Sequence, residues 1–253
     1  MAQSRPKNQY VPGMYAKKRP STENIVDQCI RELELQKSIH SRKEEAKKRA
    51  ILHHICFSRK IGVGALEIAD ILGKKIGYKV VDREIIEHIA GNNLLQSGTL
   101  DDFDERYRGR MSELASLLFG EKSFTMGDYM RHLAGAVMKV AETGPTIFVG
   151  RAAHLILPRH NVLAVRFISS REHRIKRVAK ILNVAEQEAA RQLDVEDKMQ
   201  KDFFKKNFHK KDASPYEFDL VINRDYITDA KDAAELVRQA FVMKFGALSE
   251  KKS

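Results

Sequence analysis

The sequence predicts an α/β fold, a five-stranded parallel sheet flanked by helices, and three observations carry that prediction. Five short runs rich in β-branched and aromatic residues, at 52–57, 78–82, 146–149, 162–168 and 218–223, are separated by longer amphipathic stretches. Strands joined through a crossover helix are the unit of a parallel sheet. The first run also ends in a short basic loop, Ser58-Arg59-Lys60-Ile61-Gly62-Val63-Gly64, and a helical pattern begins directly after it. Such a strand–loop–helix turn lets loop and helix N–H groups converge on an anion.

The 253 residues suffice for one sizeable domain with an appendage, and 43% hydrophobic content supplies a core. The net charge of +11 is unevenly placed, because residues 1–50 hold twelve Lys/Arg against six Asp/Glu. Residues 1–20 are basic, contain Pro6, Pro12 and Pro20 and lack periodicity, which predicts a disordered tail. A helical arm is expected over 21–49, capped near Ser21 or Thr22, with Val26, Cys29, Ile30 and Leu33 on one face. Its charge would suit a nucleic-acid or membrane-surface contact, and its stripe a homodimer or another protein partner. The plainer reading, an arm laid on its own domain, is favoured, since the only aromatics for base stacking there are Tyr10 and Tyr15. Nucleic acid and membrane are therefore not expected partners. Two cysteines, Cys29 and Cys56, form no disulfide framework. With no long apolar run either, a cytoplasmic protein is expected.

The main domain is expected over 50–248. The 52–57 run leads into the loop, and its adjacent His53 and His54 face opposite sides of a strand, which suits packing better than a metal site. Ile68, Ile71, Leu72 and Ile76 form the stripe of the following helix, which Gly77 stops. The 78–82 run ends in Asp82 and a helix follows from Arg83. Residues 101–110 pack four acids and three arginines into either a solvated surface or the wall of a polar site, within an insertion at about 92–127. An amphipathic helix over 128–142 precedes the 146–149 strand, which ends in Gly150-Arg151. Ligands of open parallel sheets lie beyond the carboxyl ends of strands. Ser58 to Gly64, Asp82 and Arg151 should thus share one crevice. Arg151 offers a planar fork for a phosphate, or a salt bridge to Asp82 or Asp128. A basic helix around 172–177 follows the fourth strand, and a polar helical lid is expected at about 183–214. The last helix runs over 229–245.

The loop meets the phosphate-cradle pattern G-x-x-x-x-G-K-[ST] only in part. With Gly64 at the second glycine, Arg59 stands at the first, Ala65 at the lysine and Leu66 at the hydroxyl. The competing dinucleotide fingerprint, Gly62-x-Gly64 with Asp82 downstream, has Glu67 where its third glycine belongs.

The order of these pieces resembles the nucleoside monophosphate kinases, most closely the cytidylate kinase-like family. That family's Ser-Arg-x-x-Gly-Ser-Gly-Gly reads Ser58-Arg59-Lys60-Ile61-Gly62-Val63-Gly64-Ala65 here. Asp82-Arg83-Glu84, Asp104-Glu105-Arg106, Val149-Gly150-Arg151-Ala152-Ala153 and Phe218-Asp219-Leu220-Val221-Ile222-Asn223 match its other signatures in order. The resemblance implies a P-loop NTPase-like fold, with a helical acceptor-binding insertion and a helical lid. It implies transfer of the ATP γ-phosphoryl group to CMP or dCMP with Mg²⁺. Ser58, Arg59, Lys60, Gly62, Val63, Gly64, Ala65 and Leu66 would then surround the ATP phosphates. Asp82 and Arg106 would border the acceptor, and Arg151 would hold its phosphate. The lid signature Asp-Lys-x-Arg reads Asp197-Lys198-Met199-Gln200, so Lys201 or Lys198 would have to replace its arginine at the transferred group. Val63 and Leu66 are further departures, standing where relatives carry small polar and polar or basic residues. Two outcomes stay open: a working kinase, or an inactive relative kept as a nucleotide-binding or interaction protein.

Overall fold

The structure, a computed structural model, describes residues 52–91, 128–210 and 213–246, together with 27, 28, 30–32 and 35. Five strands form one sheet: β1 (His54–Arg59), β2 (Lys79–Asp82), β3 (Thr146–Val149), β4 (Val162–Ile168) and β5 (Leu220–Asn223). All pairings are parallel and the order is β2-β3-β1-β4-β5. The helices are α1 (Ala65–Ile76), α2 (Arg83–Gly91), α3 (Asp128–Thr143), the single turn α4 (Ala153–Ile156), α5 (Arg171–Leu182), α6 (Glu186–Phe208) and α7 (Ala230–Phe245). The predicted fold class stands.

Both faces of the sheet are covered, which is why its strands read as apolar runs without alternation. Ile55, Phe57, Ile147 and Val165 pack with Ile68 and Leu72 of α1 and Val237 and Phe241 of α7. Cys56 and Phe148 face the other way, onto Ile85, Ile86 and Ile89 of α2 and Leu133, Val137 and Val140 of α3. His53 and His54 are packing residues: His53 stacks on Phe245 at 4.0 Å and His54 meets the Phe148 ring edge. Among the described arm residues, Ile30 packs on the α2–α3 side of the core and Glu32 pairs with Lys79 at the β2 edge.

The ends of the elements follow their sequences. Gly64 precedes α1 and Gly77 follows it, both left-handed. Ser170 caps α5 by accepting from the His173 N–H, and Asp229 caps α7 through the Lys231 N–H. Within the span of the expected lid, α6 is one continuous helix of 23 residues packed along α5. The expected insertion and Arg106 lie outside the described residues.

Register sets the functional end of the sheet. Phe57 is level with Val149 and Val149 with Asp82. Arg59, Gly150-Arg151 and Arg83 therefore emerge side by side beyond three neighbouring strand ends. Placing β1 between β3 and β4 is what brings the glycine loop into the same crevice.

Candidate functional site

The loop from Lys60 to Gly64 makes its turn through Gly62 (φ 90°) and Gly64 (φ 78°), both in the region that favours glycine. Yet it does not form an open bowl. Ile61, Val63, Ala65 and Leu66 are all buried. A Cβ on Gly62 would stand 3.2 Å from Arg174 Cβ and Val178 Cγ2 and 3.4 Å from Leu193 Cδ2. Helices α5 and α6 thus rest directly on the turn, and Ile61 joins Ile175, Val178, Ala189 and Leu193 in an apolar cluster of its own. Arg174 ties all three pieces together, donating to the Ile61 carbonyl at 3.1 Å and to Asp197 of α6 at 2.9 Å. Arg177 pairs with Glu67 at 2.8 Å and lays its guanidinium against Gly64. Gln200, at the position of the family's lid arginine, donates to the Arg59 carbonyl at 2.7 Å.

The room left between the loop and the ends of β2 and β3 is about 20 Å³, bordered by Lys60, Ile61, Ala65, Leu66, Asp82 and Arg83. That holds about one water molecule. As folded, these residues do not fit a magnesium-bound triphosphate: α5 and α6 lie on the turn, and Leu66 brings neither ammonium nor hydroxyl to it. Among the described residues no group of three or more His, Cys, Asp or Glu side chains is arranged to hold a metal ion.

A larger cavity, about 240 Å³, opens next to it at the ends of β1 and β3. Its polar wall includes Ser58, Arg59, Arg83, Glu87, Arg151 and His154, and α6 closes it with Met199, Gln200, Phe203 and Phe204. Arg151 follows Gly150 in a run of three left-handed residues, Gly150, Arg151 and Ala152, with φ of 97°, 48° and 54°. Two of these carry side chains, a conformation that costs free energy and clusters at functional sites. Its guanidinium pairs with Glu87 and sits 4.3 Å from the Phe203 ring centre. Burial lowers the Arg151 pKa and Arg83 adds to the lowering, against the pull of Glu87 and Tyr129. Arg59 lies against Gly150, where a Cβ would be 3.4 Å from its guanidinium carbon. Burial and then the charges of Arg83 and Arg151 lower the Arg59 pKa to about 10, against Asp82 and Glu196. Arg83 and Arg151 depress Arg59, and Arg83 depresses Arg151, so an added anion is stabilised here.

The other expected site residues divide. Asp82 is buried and caps α2, accepting from the N–H groups of Glu84 and Ile85 at 3.1 Å each, besides bordering the small space. Ser58 accepts from Arg166 at 2.8 Å. Lys201 does not meet Arg151. It lines a separate cavity of about 510 Å³ with Lys60, Arg166, Asp197 and Lys198, and Gln200 and Phe204 border both spaces. Sequence reasoning did not single out Arg83, Glu87 or Glu196. Arg83 could have been found by its position directly after a strand-end aspartate; nothing in the charged run of α6 distinguishes Glu196.

A glycine turn and arginines gathered at the carboxyl ends of a parallel sheet define the class of P-loop kinases. The sequence pattern of the cytidylate kinase-like family matches residues 54–226, and the chain belongs to that family. No curated protein matches it. Among solved structures it is similar to an uncharacterised protein from Eubacterium ventriosum ATCC 27560, at 20% identity and a TM-score of 0.58, over 74% of this chain and 96% of that one. That likeness shows the shared fold. Weaker likenesses extend to shikimate kinase from Bacteroides thetaiotaomicron (14% identity, TM-score 0.36, 76% and 96% of the two chains). A gluconokinase from Sinorhizobium meliloti 1021 is similar at 12% identity with a TM-score of 0.42, over 77% and 99%.

Proposed function

We propose that this chain is a nucleotide-kinase-like protein that binds a nucleoside monophosphate in the arginine-lined cavity and does not transfer the γ-phosphoryl group of ATP. One observation carries the reading: α5 and α6 rest directly on the glycine turn, and Ile61, Val63, Ala65 and Leu66 are buried. Phosphoryl transfer depends on positioned donors and on charge at the moving group. The buried Leu66 and the Gln200 amide, engaged with the Arg59 carbonyl, provide neither. On the acceptor side the cationic equipment persists in Arg59, Arg83 and Arg151, and family membership favours CMP or dCMP as the ligand. The chain would then act as a nucleotide-responsive binding protein.

A second reading, a slow kinase, has one observation in its favour. Lys60, Arg166, Lys198 and Lys201 line a cavity large enough for a polyphosphate on the other side of Gln200. Purified protein incubated with ATP, Mg²⁺ and CMP, dCMP, UMP or AMP in turn separates the two. No ADP release above background is expected, while CMP or dCMP raises the melting temperature and Arg151→Ala removes that rise. Turnover on any acceptor, lost in the Arg151 variant, would establish the kinase instead.

A further inference from the structure

Glu196 has no role in the family comparison, and its surroundings are unusual for a carboxylate on a lid helix. Most acids of α6 face water, but Glu196 is 3% exposed. It points from α6 toward the strand ends and stands 3.7 Å from Arg83. Its charge also acts on Arg59. One of its oxygens, Oε2, is buried and makes no hydrogen bond among the described residues. The Nε atoms of Arg83 and Arg151 are in the same condition. Charge in this cluster is thus partly balanced while its hydrogen-bonding capacity is not. Buried groups of that kind normally find partners, and unsatisfied ones call for an explanation.

A phosphomonoester would supply what is missing. It carries close to two negative charges and three acceptor oxygens, where a carboxylate offers one charge and two oxygens. We propose that Glu196 is the internal counter-ion of Arg83 and Arg59 at the inner side of the arginine-lined cavity, and that a phosphomonoester entering that cavity displaces it from them. This rests on the reading of the arginine-lined cavity as a nucleotide site and adds the competitor that regulates it. Displacement has a mechanical consequence. Asp197 and Gln200, adjacent to Glu196 on α6, hold the helix to Arg174 and to the Arg59 carbonyl. Drawing Glu196 out of the cluster pulls on both contacts and loosens α6 from the glycine loop. Occupancy of the monophosphate site is then communicated to the cover of the loop.

The test is CMP titration of the wild-type chain and of Glu196→Gln, with inorganic phosphate as a second probe. Glu172→Gln, which removes the same charge from an exposed pair with Lys176, serves as the control. An internal competitor lowers apparent affinity by the fraction of protein it occupies, so Glu196→Gln should bind CMP about tenfold more tightly. The control should match wild type. Hydrogen exchange on the wild-type chain gives a readout independent of any variant's folding: CMP should speed amide exchange within Glu196's helix. If wild type binds CMP while Glu196→Gln binds no more tightly, or α6 exchange is unchanged or slowed, the displacement is wrong and the cavity assignment survives. If neither protein binds CMP or phosphate, both fail.

Discussion

Arg59, Arg83 and Arg151 crowd three guanidinium groups onto three adjacent strand ends, and the described acids among them are Asp82, Glu87 and Glu196. Asp82 is committed to the start of α2, so the cluster gains from any further anion. A second buried network lies behind the cavity, where His154 contacts Glu217 at 3.4 Å. Burial alone would raise the Glu217 pKa, but hydrogen bonds from His154, Lys210 and the Ser214 N–H outweigh it and hold the carboxyl at about 2. Burial lowers His54 to about 4, helped by the nearby His53 charge, and burial lowers His154 as well. All three groups bind protons less readily folded than unfolded. Their contribution is therefore complete above the unfolded values and is lost on acidification. For His54 the loss falls between 6.5 and about 4, and for Glu217 between 4.5 and about 2. The melting temperature should fall in both windows, and Glu217→Gln should make the fall in the lower one smaller, Glu235, Asp219 and Asp225 being lowered there too. A melting temperature that rises as pH drops from 6.5 to 4 would contradict this assignment.

At the scale of elements, α1 shows how closely helix and sheet are fitted. Gly73 lies in its interior, where alanine would ordinarily stabilise by about 0.4–1 kcal/mol. Here a Cβ would meet Val80 Cγ2 at 2.7 Å and the Tyr78 carbonyl oxygen at 2.8 Å. The carbonyl is backbone and cannot swing away. Gly73→Ala should therefore destabilise, by about 1–3 kcal/mol, as overpacking does. A denaturant midpoint equal to or above wild type would show that α1 can shift off β2. The same fit explains what the sequence could and could not reveal. Strands β3 and β4 were legible to the residue because β-branched runs bounded by turn residues have no helical alternative. Gly77 announced its helix end through capping chemistry. The packing of α5 and α6 onto the glycine loop was not legible. Ile61 and Val63 read as loop residues, and only tertiary packing makes them core, Ile61 with Val178 and Leu193 and Val63 on the α1–α7 side of the sheet. Arg151 read as a phosphate fork or a partner of Asp82 or Asp128, and Glu87 of α2 escaped notice as the acid that pairs with it.

For the molecule as a whole, the five-stranded sheet gives the glycine loop, the arginine cluster and α6 a common meeting place, and the three are coupled by contact. Helix α6 covers the loop through Leu193 and Asp197, closes the arginine cavity through Phe203, and sets Glu196 3.7 Å from Arg83. The family frame is thereby retained while the two proposed subsites differ in access, the glycine loop lying under α5 and α6 and the arginine-lined cavity measuring about 240 Å³. Their difference in capacity is what equilibrium binding reads most directly. Titrating CMP and magnesium-bound ATP separately into the wild-type chain at the same ionic strength should give a saturable isotherm for CMP, abolished by Arg151→Ala. The same titration should give no saturable binding of ATP. Saturable ATP binding unaffected by Arg151→Ala would contradict the account, because it would mean that the glycine loop opens to a triphosphate after all.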